Sequence, residues 1–188
     1  STGMAHAVSY LESQGLRDPN GAVLCSLGDG SVTEGEVSEA FQMAVLKQLP
    51  IVYLIQDNDW GISATSQEMR SMTAYEFAAG FKGMARMQVD GSDFVASYVA
   101  MKKALDHVRD RKGPILVHAT CPLLGHHTSG VRKEWYRSDD DLANHAKSDP
   151  LPILKDFLLS RGMAKKALDK LETDAIKSVE QDFNYALE

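Results

Sequence analysis

Residues 28 to 63 read GDGSVTEGEVSEAFQMAVLKQLPIVYLIQDNDWGIS, and this stretch decides the fold. Just ahead of it, Ala22 to Leu27 is a short apolar run closed by glycine, the pattern of a buried parallel strand. Gly28-Asp29-Gly30 then supplies a tight turn. Two overlapping capping signals, Ser31-x-x-Glu34 and Thr33-x-x-Glu36, predict a helix N-terminus. Val37, Ala40, Phe41 and Ala44 recur at helical spacing and give that helix one apolar face. Pro50 follows it, Ile51 to Ile55 is the next apolar strand, and Gln56-Asp57-Asn58 opens the polar loop beyond. The result is one βαβ unit, right-handed when both strands lie in a parallel sheet.

The rest of the chain is arranged around that unit. Upstream, Gly3 to Gln14 reads as a helix with Ala5, Val8 and Leu11 on its apolar side, and Arg17 to Gly21 as a polar turn. Downstream, Ala64 to Thr73 is polar and irregular, a surface loop near the second strand end. Ala74 to Phe81 reads as a short helix, Met87 to Val89 as a brief strand, and Asp90-Gly91-Ser92-Asp93 as a turn ending in an N-cap. Phe94 to Arg109 is an amphipathic helix with Phe94, Tyr98, Met101, Leu105 and Val108 as a core-facing stripe. Gly113-Pro114 leads into a fourth strand, Ile115 to Ala119, and Leu123 to Ser138 is a long polar loop. Helices follow at Asp139 to Ala146, Pro152 to Ser160 and Ala164 to about Leu187, the last with Leu168, Leu171, Ala175, Val179 and Phe183 as its packing face. Strands alternating with helices predict an α/β fold, a doubly wound and mostly parallel sheet with a C-terminal helical tail. Residues 1–138 are expected to form the α/β domain, and residues 139–188 a helical extension packed on it.

A chain of 188 residues is long enough for a sizeable core. Its net charge of −6 and lack of a basic cluster argue against a nucleic-acid or anionic-membrane surface, and no run is long enough to span a bilayer. Cys25 and Cys121 sit in or beside strands and read as reduced, buried thiols of a cytosolic-type compartment. The chain does not open with Met and its first helix has no strand before it, so it is expected to be a fragment.

The chemistry gathers at the strand ends, which in a parallel sheet share one edge, where open α/β sheets bind ligands. Gly28 and Gly30 let a ligand approach the backbone closely, and the helix that follows offers free N–H groups and a positive dipole end to a phosphate. Asp29 is a hard oxygen ligand in the turn, and Asn58 offers an amide oxygen at the neighbouring strand end. Together with a backbone carbonyl and two phosphate oxygens they would suit magnesium, which binds along with substrate phosphates. Gly-Asp-Gly alone is ordinary loop punctuation. A second group stands beyond the fourth strand, where Gly125-His126-His127-Thr128-Ser129 puts two imidazoles on the ligand edge, able to donate to a phosphate or an oxyanion.

Taken together, GDG, the Glu34-Gly35 and Glu39-Ala40 helix and the Asn58 strand end resemble the thiamine-diphosphate signature. The stretch from Gly113 to Tyr136-Arg137, with its Gly-His-His loop, resembles the alpha subunit of the 2-oxo acid dehydrogenase first component, in its branched-chain (2-oxoisovalerate-like) form more than its pyruvate form. The resemblance covers nearly the whole chain. It implies that the Asp29 and Asn58 side chains and the Trp60 backbone carbonyl ligate magnesium, and that Gly28, Asp29, Gly30, Ser31, Asn58, Trp60, Gly61, Ile62 and His127 contact thiamine diphosphate, with His127 also at the active-site mouth. The family usually reads Asn-Asn where this chain has Asp57-Asn58, so Asn58 keeps the ligand role and Asp57 departs from the pattern. Thr128 falls where mitochondrial relatives carry a regulatory phosphoserine, but Gly130 to Lys133 replace the usual acidic residues.

The implied reaction is decarboxylation of a 2-oxo acid, branched-chain or pyruvate-like, with transfer of the acyl group to lipoyl on a partner acyltransferase in a multienzyme complex. The implied partner is a beta subunit or fused beta-like half, which carries the activating glutamate, in a homo- or hetero-oligomer. The expected compartment is cytoplasmic or the mitochondrial matrix. A transketolase-like enzyme shares the first motif, and a non-catalytic assembly fragment is the alternative of another class.

Overall fold

A computed structural model describes residues 1–187. The strands are β1 (Val23–Gly28), β2 (Ile51–Asp57), β3 (Trp60–Gly61), β4 (Ala64–Thr65), β5 (Ala85–Asp90) and β6 (Ile115–Thr120). The helices are α1 (Thr2–Ser13), α2 (Gly35–Leu46), α3 (Ser66–Met69), α4 (Ala74–Ala78), α5 (Phe94–Arg109), α6 (Asp139–Lys147), α7 (Pro150–Ser160) and α8 (Lys165–Leu187). β1, β2, β6 and β5 form one sheet in that order, every pairing parallel, while β3 and β4 form a separate antiparallel hairpin. The four parallel strands are those expected, and all their C-terminal ends open on one edge.

Alternation along the strands builds two cores. Ile51, Tyr53, Ile55 and Leu116 point to the face covered by Ala5 and Val8 of α1, Phe41 and Ala44 of α2, and Ala74 and Ala78 of α4. Val52, Ile115 and Val117 point to the other face, against Ala104 and Val108 of α5. Helices on both faces make the sheet doubly wound, as the βαβ reading predicts.

Several local expectations change. Neither capping signal ahead of α2 forms: Glu34 is the N-cap without a side-chain bond, and a 3-10 turn, Asp29–Thr33, fills the gap. Thr33 Oγ1 instead donates to Gly30 O at 3.0 Å. A reciprocal capping box stands at α4, where Glu76 N donates to Thr73 Oγ1 at 3.2 Å and Thr73 N to Glu76 Oε2 at 2.8 Å. The stretch 64–73 is not an irregular surface loop, since it holds β4 and α3. On α5 the core face is Ala100, Ala104 and Val108, with Met101 and Leu105 packed at its margin, while Phe94 and Tyr98 are exposed. Small residues sit against the sheet there because the helix backbone lies close, and the bulky ones are turned away.

The chain divides into two compact units, Ser1–Asp149 and Pro150–Glu188, so α6 belongs with the α/β unit. In the second unit Lys155 of α7 pairs with Glu172 of α8 at 3.1 Å and with Asp169 at 3.5 Å. Of the expected α8 packing face only Leu168 is buried; Leu171, Val179 and Phe183 are exposed. Among the described residues, no helix is long and apolar enough to cross a membrane.

Phe41 is fully buried and meets three rings, Tyr53 at 4.7 Å, Phe81 at 5.3 Å and Phe77 at 6.1 Å between centroids. Phe41→Ala is expected to cost about 3–5 kcal/mol of stability, read by denaturant unfolding; a loss under about 1 kcal/mol would show that this aromatic cluster is not a principal support of the fold.

Candidate functional site

The two core-facing strand registers end in charge. Residues 51, 53 and 55 on β2 are apolar and buried, and Asp57 is the next residue on that face. On β6, His118 follows Leu116 on the same face. On β1, Asp29 continues the parity of Val23, Cys25 and Leu27 just past the strand end. Asp29 is 2 % exposed, His118 3 % and Asp57 8 %. Three ionisable side chains therefore reach the same buried edge of the sheet, and burying charge demands partners.

Arg70, the residue after α3, supplies the main one. Its Nη2 donates to both Asp57 oxygens at 2.8 Å, and its Nη1 lies 3.4 Å from Asp29 Oδ2. His118 Nε2 lies 2.7 Å from Asp57 Oδ2, and Gln88 Nε2 3.3 Å from His118 Nδ1. With the Gln88 amide donating, His118 Nδ1 accepts and its Nε2–H donates to Asp57. Asp57 Oδ1 also accepts from Asp59 N at 3.1 Å. Burial works against the Asp57 charge, but the bonds from His118 and Arg70 outweigh it and hold the carboxyl well below the usual carboxylate range. Asp29 is shifted the other way, pushed up to about 6, first by burial and then by the negative charge of Asp57, with Arg70 opposing. Cys121, beside the same edge, has its thiol pushed up by burial and by Asp57 and Asp29. It is a half-buried free cysteine, as is Cys25.

The loop after β2 is held in a single shape. Asn58 Oδ1 accepts from Trp60 N at 3.1 Å, and Asp59 O accepts from Ser66 N at 3.0 Å. Asp59 (φ 68°) and Ile62 (φ 61°) both adopt left-handed backbone, which for a β-branched residue such as Ile62 is strained. The Met69 side chain lies over Gly61, where a Cβ would meet its Sδ at 2.2 Å and force it to move. Gly28 and Gly30 differ: neither has a positive φ, and a Cβ on Gly28 would meet nothing within 4 Å. Gly28 is therefore not required by the fold of this chain, and open space stands beside it. A cavity of about 590 Å³ lies over the edge, lined among others by Asp57, Asn58, Arg70, His118, Cys121 and His145.

The predicted cation ligands fit a hard cation in chemistry. Asp29 Oδ2 is buried without a hydrogen-bond partner, and a carboxylate, an amide oxygen and a backbone carbonyl are the oxygen donors that magnesium prefers. Among the described residues no three His, Cys, Asp or Glu side chains form a metal-holding group. His127 and Thr128 are exposed on the loop after β6, while His126 Nδ1 accepts from Lys133 N at 3.2 Å. The Tyr136-Arg137 pair is more central: the Tyr136 ring lies 5.4 Å from that of Trp60, and Arg137 is buried, bonded to Asp141 and, at 2.7 Å, to Leu123 O.

Sequence reading missed Arg70 and His118 and gave Asp57 only a departure from pattern. His118 was detectable as a polar residue in the apolar run Ile115–Thr120, and Asp57 by its parity with Ile55. No spacing signal marks Arg70.

Because the Asp29 carboxyl is raised, its ionisation opposes folding above pH 6, and this cost is absent below about pH 4, where it is protonated both folded and unfolded. Asp29→Asn is expected to raise the melting temperature of the cation-free protein by roughly 3–6 °C at pH 7.5, with the difference vanishing toward pH 4. A destabilised variant at pH 7.5 would refute this.

Residues 2–188 match the family model described as Dehydrogenase E1 component. A 3-methyl-2-oxobutanoate dehydrogenase subunit alpha of Mycobacterium tuberculosis is 31% identical over 183 residues, covering 97% of this chain and 50% of that protein. Pyruvate dehydrogenase E1 component subunits alpha are similarly related. That of Rickettsia felis is 33% identical over 95% of this chain and 52% of its own length, and that of Mycoplasma genitalium 31% identical over 92% and 47%. The chain thus spans about half the length of these curated relatives. With the family model matched along nearly every residue, the chain belongs to the Dehydrogenase E1 component family.

Proposed function

We propose that this chain is the diphosphate- and magnesium-holding portion of a thiamine-diphosphate-dependent 2-oxo acid dehydrogenase. The observation that carries the reading is Asp29, a buried carboxylate at the end of β1 with an unpartnered oxygen, one strand away from Asn58 on the edge where parallel sheets bind ligands. Asp29, Asn58 and the Trp60 carbonyl would hold the cation. Gly28, Gly30, Ser31, Gly61, Ile62 and His127 would meet the diphosphate, Gly28 by leaving the backbone open to it.

When bound, thiamine diphosphate supplies the carbanion-stabilising chemistry by which a 2-oxo acid loses carbon dioxide. The work of this chain is binding and placement. Asp29 brings one formal negative charge to the cation, and the Asp59–Ile62 loop, fixed by Asn58 and Gly61, sets where the other oxygens stand. His127, exposed on its loop, would donate to a phosphate or oxyanion. The substrate class is a branched-chain or pyruvate-like 2-oxo acid, as the names of the relatives support. The acyl acceptor is lipoyl on a partner acyltransferase, and the other half of the active site comes from a beta subunit or beta-like segment.

Calorimetric titration of the assembled enzyme with thiamine diphosphate is expected to show binding that requires magnesium and is abolished by Asp29→Ala. Binding that ignores both the metal and the substitution would overturn the reading. His127→Ala in the same assembly is expected to lower turnover about 10²-fold or more while the melting temperature holds; wild-type turnover would remove His127 from the site.

A further inference from the structure

Arg70 stands in an unusual position for a buried cation. Its Nη2 is fully engaged with both oxygens of Asp57, at 2.8 Å each, and that carboxylate is in turn fixed by His118. Its Nη1 is buried with no hydrogen-bond partner, and so is the Asp29 Oδ2 that it faces at 3.4 Å. The contact between them is thus electrostatic without being a formed hydrogen bond. An arginine–carboxylate pair optimised for stability would be close and hydrogen-bonded, as Arg70 Nη2 is to the two Asp57 oxygens. Asp29 instead faces a positive charge that leaves its ligand oxygen unengaged.

We propose that Arg70 is a tethered stand-in for the cation: Nη1 neutralises Asp29 while the metal is absent and gives way when it binds, with Asp57 keeping the guanidinium from following. This rests on the proposed cation site and adds a positioning residue to it. Three features follow from the same geometry. The arginine must be held elsewhere, or it would collapse onto Asp29; Asp57 does this. Asp57 must itself resist reorientation; the His118–Gln88 chain across β6 and β5 does this. And an aspartate is needed at position 57, because an asparagine there could not anchor a guanidinium through two charged oxygens.

The test compares Mn2+ affinity, read by electron paramagnetic resonance, for the assembled full-length enzyme stripped of cation and cofactor, with and without thiamine diphosphate. The charge-balanced double variant Asp57→Asn/Arg70→Met removes one negative and one positive charge, so the net charge around Asp29 is unchanged while the stand-in is gone. It is expected to bind Mn2+ alone at least about tenfold more tightly than Asp57→Asn alone, because those two variants differ only in the Arg70 charge that faces the cation. Asp57→Asn alone frees Arg70 to close on Asp29 and is expected to weaken Mn2+ binding by about tenfold or more. This single substitution keeps the shape of the side chain and decides the matter where the double variant does not fold. Wild-type affinity in Asp57→Asn, or a double variant that binds no more tightly than Asp57→Asn, overturns the stand-in while leaving the cation site in place. No Mn2+ binding by the wild type, even with thiamine diphosphate, overturns both.

Discussion

The ion pair between Arg70 and Asp57 is the interaction on which the ligand edge of this sheet depends. Two carboxylates, Asp29 and Asp57, are carried to the buried edge of the sheet by strands whose preceding residues are apolar core. Desolvating them is costly, and their mutual repulsion adds to it. One guanidinium lowers both costs, and only a planar, forked cation can bond two oxygens of one carboxylate while a second nitrogen faces another. That the pair is buried says little about net stability, since an apolar replacement of equal volume often does as well. Its consequence is positional: it joins the turn after β1, the end of β2 and the residue after α3 into one unit.

That unit explains why the segment between β2 and α4 is ordered. A polar run of ten residues between a strand and a helix would ordinarily lie loosely on the surface. Here it is pinned at one end by Asn58 and Asp59, whose oxygens accept from Trp60 N and Ser66 N, and at the other by Arg70. Between them the Met69 side chain packs directly over Gly61. The strained backbone at Ile62 persists because both ends are fixed. Strain held this way is common beside binding sites, where the loop must already have its bound shape.

The sheet itself was legible in the sequence because its signals are local. Ala22–Leu27, Ile51–Ile55 and Ile115–Ala119 are apolar runs of strand length, and parallel pairing followed from the helices between them. The ends of α2 were less so: Ser31-x-x-Glu34 and Thr33-x-x-Glu36 have the composition of a capping box, but the 3-10 turn after Gly28 takes up those residues first. The stripe on α5 was misjudged because periodicity marks an apolar face without saying which edge of it meets the sheet; Ala100 and Ala104 pack there and Phe94 and Tyr98 do not. Asp29 and Asn58 were visible as a motif. Arg70 was not, since what makes it central is the fold that brings it back over two strand ends, and no pattern within residues 64–73 encodes that return.

The charge count at the edge bears on what the site can select. On the proposed reading it offers the cation one carboxylate, at Asp29, and two neutral oxygens, at Asn58 and Trp60, while Asp57 is committed to Arg70. Magnesium sheds its water reluctantly and is seldom held by so few anionic oxygens unless phosphate completes the shell. A second free carboxylate at position 57 would let the metal bind without a diphosphate and then hold it there. Committing Asp57 to a guanidinium removes that option without removing the negative charge that positions Arg70. The edge is thereby suited to a cation that arrives with its own anionic oxygens, and the geometry that neutralises two buried carboxylates in its absence is the same geometry that makes a bare metal ion a poor ligand.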